Sequence, residues 1–130
     1  MTICYIGEAS TRSGLSPDTI RYYGSLGLIR SGMRDRGGRR QFDDEGVAWL
    51  MFLRQMRATG MSLEQLRMYI EAREQGAAGV SEVLEVLRQH QQSMLAARDE
   101  INHCLQVVAA KISKYERLAR TGQSPGAPEV

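Results

Sequence analysis

From Leu84 to Ala119 the spacing of one set of positions alternates between three and four residues. Positions 84, 87, 91, 94, 98, 101, 105, 108, 112, 115 and 119 carry Leu, Leu, Gln, Met, Arg, Ile, Leu, Val, Ile, Tyr and Ala, and nine of the eleven are apolar. A stripe sustained over five heptads has the period of a coiled-coil helix rather than a globular one. Ser81 stands where a cap is needed and Thr121-Gly122 where the helix should stop. This predicts about 38 residues of rod, roughly 57 Å at about 1.5 Å per residue. A chain of 130 residues cannot build a core that covers such a length. The stripe therefore predicts a partner, and an identical chain is the simplest one. Leu84, Leu87, Met94, Ile101, Leu105, Val108, Ile112 and Tyr115 are the expected dimerisation residues, with Gln91 and Arg98 fixing register or leaving space in the seam.

Upstream the pattern changes to short helices with clear punctuation. A first helix is expected over about Ile6 to Ser13, closed by Gly14. Ser16-Pro17-Asp18-Thr19 opens a second with a capping hydroxyl, a proline at the first helical position and an acid near the positive end of the dipole. It runs to about Leu26 and stops at Gly27. Two short helices around Gly14-Leu15 form a helix-turn-helix pattern, in which the second helix usually enters the major groove. Arg34 to Phe42, with Gly37-Gly38 at its centre, predicts a β-hairpin. Asp43 and Asp44 start a third helix, about Glu45 to Ala58, whose Val47, Leu50, Phe52, Leu53 and Met56 should cover the core. Ser62-Leu63-Glu64-Gln65 is a capping box that opens a fourth, to about Glu74. The expected organisation is a DNA-binding unit over 1–76, a linker over 77–80, the coiled-coil helix over 81–121 and a disordered tail over 122–130. The fold class is mainly α, a winged helix-turn-helix followed by a long coiled-coil dimerisation helix.

Charge sharpens this picture. The whole chain is only +2, but residues 1–42 carry seven arginines against three acids. Arg30, Arg34, Arg36, Arg39 and Arg40 fall within eleven residues, with Asp35 the one acid among them. Taken alone such a run is a solvated face; on a hairpin beside a groove-binding helix it is a set of phosphate ligands. Cys4 and Cys104 are a hundred residues apart and suit a reducing compartment without a zinc site. Met1 to Ala9 lacks the features of a secretory signal, and the longest apolar run is the seven residues Val47 to Leu53. A cytoplasmic protein with no membrane partner, metal or cofactor is therefore expected. No convergent set of acids, bases and nucleophiles suggests an enzyme. The alternative is a scaffold whose helix-turn-helix docks a protein, which leaves the arginines without a purpose. Trp49, Met51 and Tyr69 are expected in core or subunit packing, and His90 and His103 in solvent or at an interface. Of the adjacent Tyr22 and Tyr23, at least one should be exposed.

Tyr5-Ile6-Gly7-Glu8, Gly14-Leu15-Ser16, Thr19-Ile20-Arg21-Tyr22-Tyr23, Gly27-Leu28-Ile29, Arg40-Gln41-Phe42 and Gly60-Met61-Ser62-Leu63, in this order and spacing, resemble the MerR family of transcription regulators. The likeness covers residues 3 to about 75. It implies that the second helix reads the major groove and that the wing reaches phosphates. DNA contacts are then expected from Ser16, Thr19, Arg21, Tyr22, Tyr23, Arg36, Arg39 and Arg40. It further implies a homodimer, joined through an antiparallel coiled coil of the long last helices, on a pseudo-palindromic operator in double-stranded promoter DNA. The dimer would bend and untwist an over-long promoter spacer for RNA polymerase in response to an effector. Arg12 departs from the apolar residue usual at its position. The closest likeness is to the aldehyde- and electrophile-responsive branch, but Gln55 stands where that branch commonly has cysteine. An amide only exchanges hydrogen bonds, so the implied effector site around Gln55, Met56 and Tyr69 would bind its unidentified ligand reversibly.

Overall fold

The computed structural model describes residues 2–29 and 33–126. Along the chain it forms α1 (Ile6–Ser13), α2 (Pro17–Ser25), β1 (Met33–Arg34), β2 (Arg40–Gln41), α3 (Asp44–Ala58), α4 (Leu63–Glu74), a 3-10 turn (Gly76–Gly79) and α5 (Val80–Thr121). The chain divides into two compact units, residues 1–91 and 92–130. The first contains α1 to α4, the hairpin and the opening turns of α5; the second contains the remainder of α5 and the tail.

The helix boundaries arise from local chemistry. Gly14 takes the left-handed conformation at φ 84° and hands its N–H to the Ser10 carbonyl, which closes α1. The Ser16 side chain accepts from the Thr19 N–H and Pro17 occupies the first turn, so α2 starts where these residue types dictate. Asp43 accepts from the Gly46 N–H at 2.7 Å to open α3. At α4, Ser62 and Gln65 exchange both hydrogen bonds of a capping box. The strands pair antiparallel, Met33 with Gln41 and Arg34 with Arg40. Of the two hairpin glycines, Gly38 takes a positive φ of 85°, while Gly37 does not.

The apolar faces meet in one core. Ile20, Leu28, Phe42, Leu50, Leu53, Met61 and Leu66 are fully enclosed, and Ala9, Leu15, Tyr23, Ile29, Val47, Ile70 and Val86 join them. Phe52 and Met56 of α3 pack against this core while half-buried. Arg12 does not disturb α1. Its guanidinium turns outward, bonding the Asp44 carboxylate at 3.1 Å and reaching the Cys4 sulfur at 3.9 Å.

Two expectations about α5 are corrected. Ser81 is not its cap, because the helix already includes Val80 and the Gly76–Gly79 turn feeds straight into it. Residues 77–80 thus pass from the turn into α5 without a break, and within them Gly79 is closely packed; a Cβ on Gly79 would collide with the Ala72 carbonyl. His90 is not solvent-facing. It is 3% exposed, and its Nε2 lies 2.9 Å from Thr59 Oγ1. The Thr59 hydroxyl donates to the Gln55 carbonyl at 2.9 Å, so its lone pair is left to accept from a proton on His90 Nε2. The physical reason is that the opening turns of α5 bury Val86 and His90, one helical turn apart, against the first unit. The 3,4 stripe takes over beyond it, where Ile101, Leu105, Val108, Ile112 and Tyr115 are all exposed in the single chain.

Candidate nucleic-acid interface

Helix α2 divides its residues cleanly. Ile20 and Tyr23 go into the core, which leaves Ser16, Arg21 and Tyr22 outward, Tyr22 with 53% of its surface exposed. Ser16 and Thr19 hydroxyls bond each other at 2.9 Å at the helix start. Arg21 pairs with Asp18 at 3.0 Å, but both side chains are largely in water, where such a pair contributes little. The Arg21 guanidinium is therefore available to an anion. Tyr23 has a different setting. It is expected at DNA from the sequence, yet its ring is a core residue with 7% exposure, because adjacent helical residues point about 100° apart and Tyr22 has the outward place.

The hairpin supplies the second wall. Arg34, Arg36 and Arg39 are exposed, and Arg40 is half-buried. The Arg40 guanidinium donates to the Ile29 carbonyl at 3.1 Å and lies against Gly24 of α2, where a Cβ would come within 3.4 Å of it. Burial, helped by the like charge of Arg34, pushes the Arg40 pKa down from its usual value. Arg30 lies outside the described residues. Between α2 and the wing runs a cleft of about 550 Å³ whose lining includes Tyr5, Ile20, Arg21, Gly24, Arg34, Arg39 and Arg40. Four guanidiniums from two elements around one concave surface form a site for an anion of extended shape.

Sequence reasoning missed Tyr5, Asp35 and Gln41. Tyr5 donates its hydroxyl to Asp35 and accepts from Gln41, and its ring underlies Arg39. One signal was visible: Asp35 is the lone acid inside the arginine cluster.

The three residues expected around an effector, Gln55, Met56 and Tyr69, have different settings. Tyr69 stacks in an aromatic group with Trp49 and Phe52, at ring centroid distances of 6.0 and 5.2 Å. Met56 packs on the core and Gln55 is exposed. A second cavity, of about 330 Å³, is lined by Leu28, Asp43, Glu45, Trp49, Ile70, Arg73 and Glu74, none of the three expected residues among them. Among the described residues, no group of His, Cys, Asp and Glu could hold a metal ion, and no helix is long and apolar enough to cross a membrane.

Comparison with known proteins places this arrangement. Residues 4–73 match the pattern of the MerR HTH family regulatory proteins. HiNmlR, a MerR family regulator lacking the sensor domain and solved bound to promoter DNA, superposes with a TM-score of 0.88 at 25% identity, covering 98% of each chain. A MerR family transcriptional regulator of Listeria monocytogenes gives 0.84 at 34% identity over 92% of this chain and 91% of that one. The HTH-type transcriptional regulator YyaN of Bacillus subtilis is 24% identical over 132 residues, 92% of this chain and 96% of YyaN.

Proposed function

Because the chain belongs to the MerR family of helix-turn-helix regulators, and is thus a regulator of transcription rather than an enzyme, we propose that it grips promoter DNA between α2 and the wing as a homodimer. The observation that carries this reading is the cleft between those two elements. Arg21, on the outward face of α2, and Arg34, Arg39 and Arg40, on the hairpin, line one surface. In this reading Arg21, Thr19 and Tyr22 meet base edges and the sugar-phosphate chain in the major groove, while Arg36, Arg39 and Arg40 meet phosphates beside it. The promoter-bound state of HiNmlR, similar over nearly its whole length, supports the same partner here.

The second copy is inferred from α5. Ile101, Leu105, Val108, Ile112 and Tyr115 are each about half exposed, in a row that water should not face. Pairing the two stripes antiparallel would cover them and hold two DNA-binding units on two half-sites. Regulation then proceeds by shape: the dimer distorts an over-long spacer so that RNA polymerase can use the promoter, and an effector shifts the balance between two dimer conformations.

A fluorescence-anisotropy titration of the full chain against the promoter duplex beside its own gene, at two salt concentrations, tests the DNA-binding core of this reading. Saturable binding that weakens steeply with salt and exceeds that of a scrambled duplex is expected. Equal affinity for both duplexes contradicts it.

A further inference from the structure

The wing is too small to hold its own position. Its strands, Met33–Arg34 and Arg40–Gln41, have two residues each, and a two-stranded ribbon is marginal in water by itself. Yet three of its arginines must keep a fixed distance from α2 to share the cleft. At the base of the ribbon that distance is set by backbone: the Cys4 N–H donates to the Phe42 carbonyl at 2.8 Å and the Phe42 N–H to the Cys4 carbonyl at 2.7 Å. Nearer the tip it is set by one side chain. The Tyr5 hydroxyl donates to Asp35 Oδ2 at 2.9 Å and accepts from Gln41 Nε2 at 3.2 Å. The Arg39 guanidinium lies 4.0 Å from the centroid of the same ring. Tyr5 stands at the N-cap of α1 but gives that helix no side-chain cap; its side chain serves the wing instead.

Asp35 is the other half of the tie. Its Oδ1 accepts from the Gly37 and Arg39 N–H groups, each at 2.9 Å, while Oδ2 takes the Tyr5 hydroxyl. One oxygen shapes the turn and the other fastens it to the start of α1.

We propose that Tyr5 and Asp35 are positioning residues for DNA binding, a latch that fixes the wing arginines relative to α2 without touching DNA. The inference rests on the DNA-binding reading above. An acid among arginines has a simpler alternative role, that of an anion which merely weakens the pull on phosphates, and the two roles differ in sign. If charge were everything, Asp35→Asn would tighten binding by removing a repulsion. As a latch it loosens binding, because an amide offers one acceptor oxygen where the carboxylate uses two. Tyr5→Phe keeps the ring beneath Arg39 and removes only the hydroxyl.

The test uses the full chain and a duplex that it enriches from a random-sequence DNA pool, titrated by anisotropy across a range of salt concentrations. The latch predicts that Tyr5→Phe and Asp35→Asn each weaken binding, on the order of fivefold to tenfold. The double variant should be no weaker than the weaker single one, since both break the same tie. The slope of log affinity against log salt should stay unchanged in these variants, whereas Arg39→Ala should reduce it by about one. Tighter binding by Asp35→Asn, unchanged binding by Tyr5→Phe, or a reduced slope in Tyr5→Phe overturns the latch. Asp35→Asn alters the surface ribbon and not the core, so its sign decides the matter even if Tyr5→Phe fails to fold. A pool that yields no enriched duplex overturns the DNA-binding reading and the latch with it; an enriched duplex that Tyr5→Phe binds as wild type does overturns the latch alone.

Discussion

Arg21 and Arg40 have the same charge but different settings, and their substitutions should differ accordingly. Arg21 is exposed and tied only to the equally exposed Asp18, whereas Arg40 is half-buried and anchored to the Ile29 carbonyl. Arg21→Ala should remove discrimination between the operator and other sequences, at about 1 to 3 kcal/mol for a base-contacting side chain. Arg40→Ala should weaken all duplexes more evenly and lower the salt slope by about one. Competition binding with matched and scrambled duplexes separates the two patterns. The two thiols also differ. Cys4 is buried in the bridge to Phe42, and desolvation pushes its thiol above the usual 9.0, with Arg12 pulling the other way. Cys104 is exposed. Native protein at about pH 8 should therefore show one fast-reacting thiol by thiol titration, with the second appearing only on unfolding. Because the folded state holds the Cys4 proton more tightly, the resulting stability is complete below the thiol's ordinary value and is lost as pH rises past it. Cys4→Ser should flatten that alkaline loss of stability in melts above about pH 9. With Cys4 enclosed and Cys104 far along α5, the double serine variant should still bind DNA.

At the scale of elements, the boundaries of α1 to α4 and the hairpin were legible because they are set locally. Ser16 and Ser62 cap the helices they precede, and Gly14 and Gly38 take the conformations that only glycine accepts cheaply. Less legible is which face of an element the rest of the fold covers. The solvent-facing place expected for His90 fails for that reason, and the enclosure of the Tyr23 ring has the same origin: both sit on helices whose sequence period leaves two faces open, and only packing chooses between them. The choice at His90 has an energetic consequence. Its ring and the Thr59 hydroxyl join α5 to the end of α3, so Thr59→Val leaves a buried imidazole N–H without its acceptor. A loss of about 1 to 3 kcal/mol is expected in denaturant unfolding. His90→Ala should cost more, because a buried ring is removed as well. If Thr59→Val unfolds at the wild-type midpoint, this contact does not hold the two helices together. The latch between Tyr5 and Asp35 was hidden from the sequence for a related reason, since its partners are thirty residues apart and no local period connects them.

The whole molecule joins a DNA-reading unit to a stripe that needs a second copy. Leu105, 60% exposed in the single chain, would lie in the seam, and Leu105→Asp would bury an unpaired charge there. Sedimentation should then find monomer, with operator affinity falling because two half-sites are no longer held together. A fully dimeric Leu105→Asp protein at micromolar concentration would contradict the register. DNA reading and pairing meet in a single measurement, the sequences that the full chain enriches from a random DNA pool. The prediction is a pair of inverted half-sites at one fixed spacing, lost in the Arg21→Ala protein. No enrichment, or enrichment of single half-sites without symmetry or spacing, would contradict the claim that this chain reads DNA as a dimer through α2 and its wing.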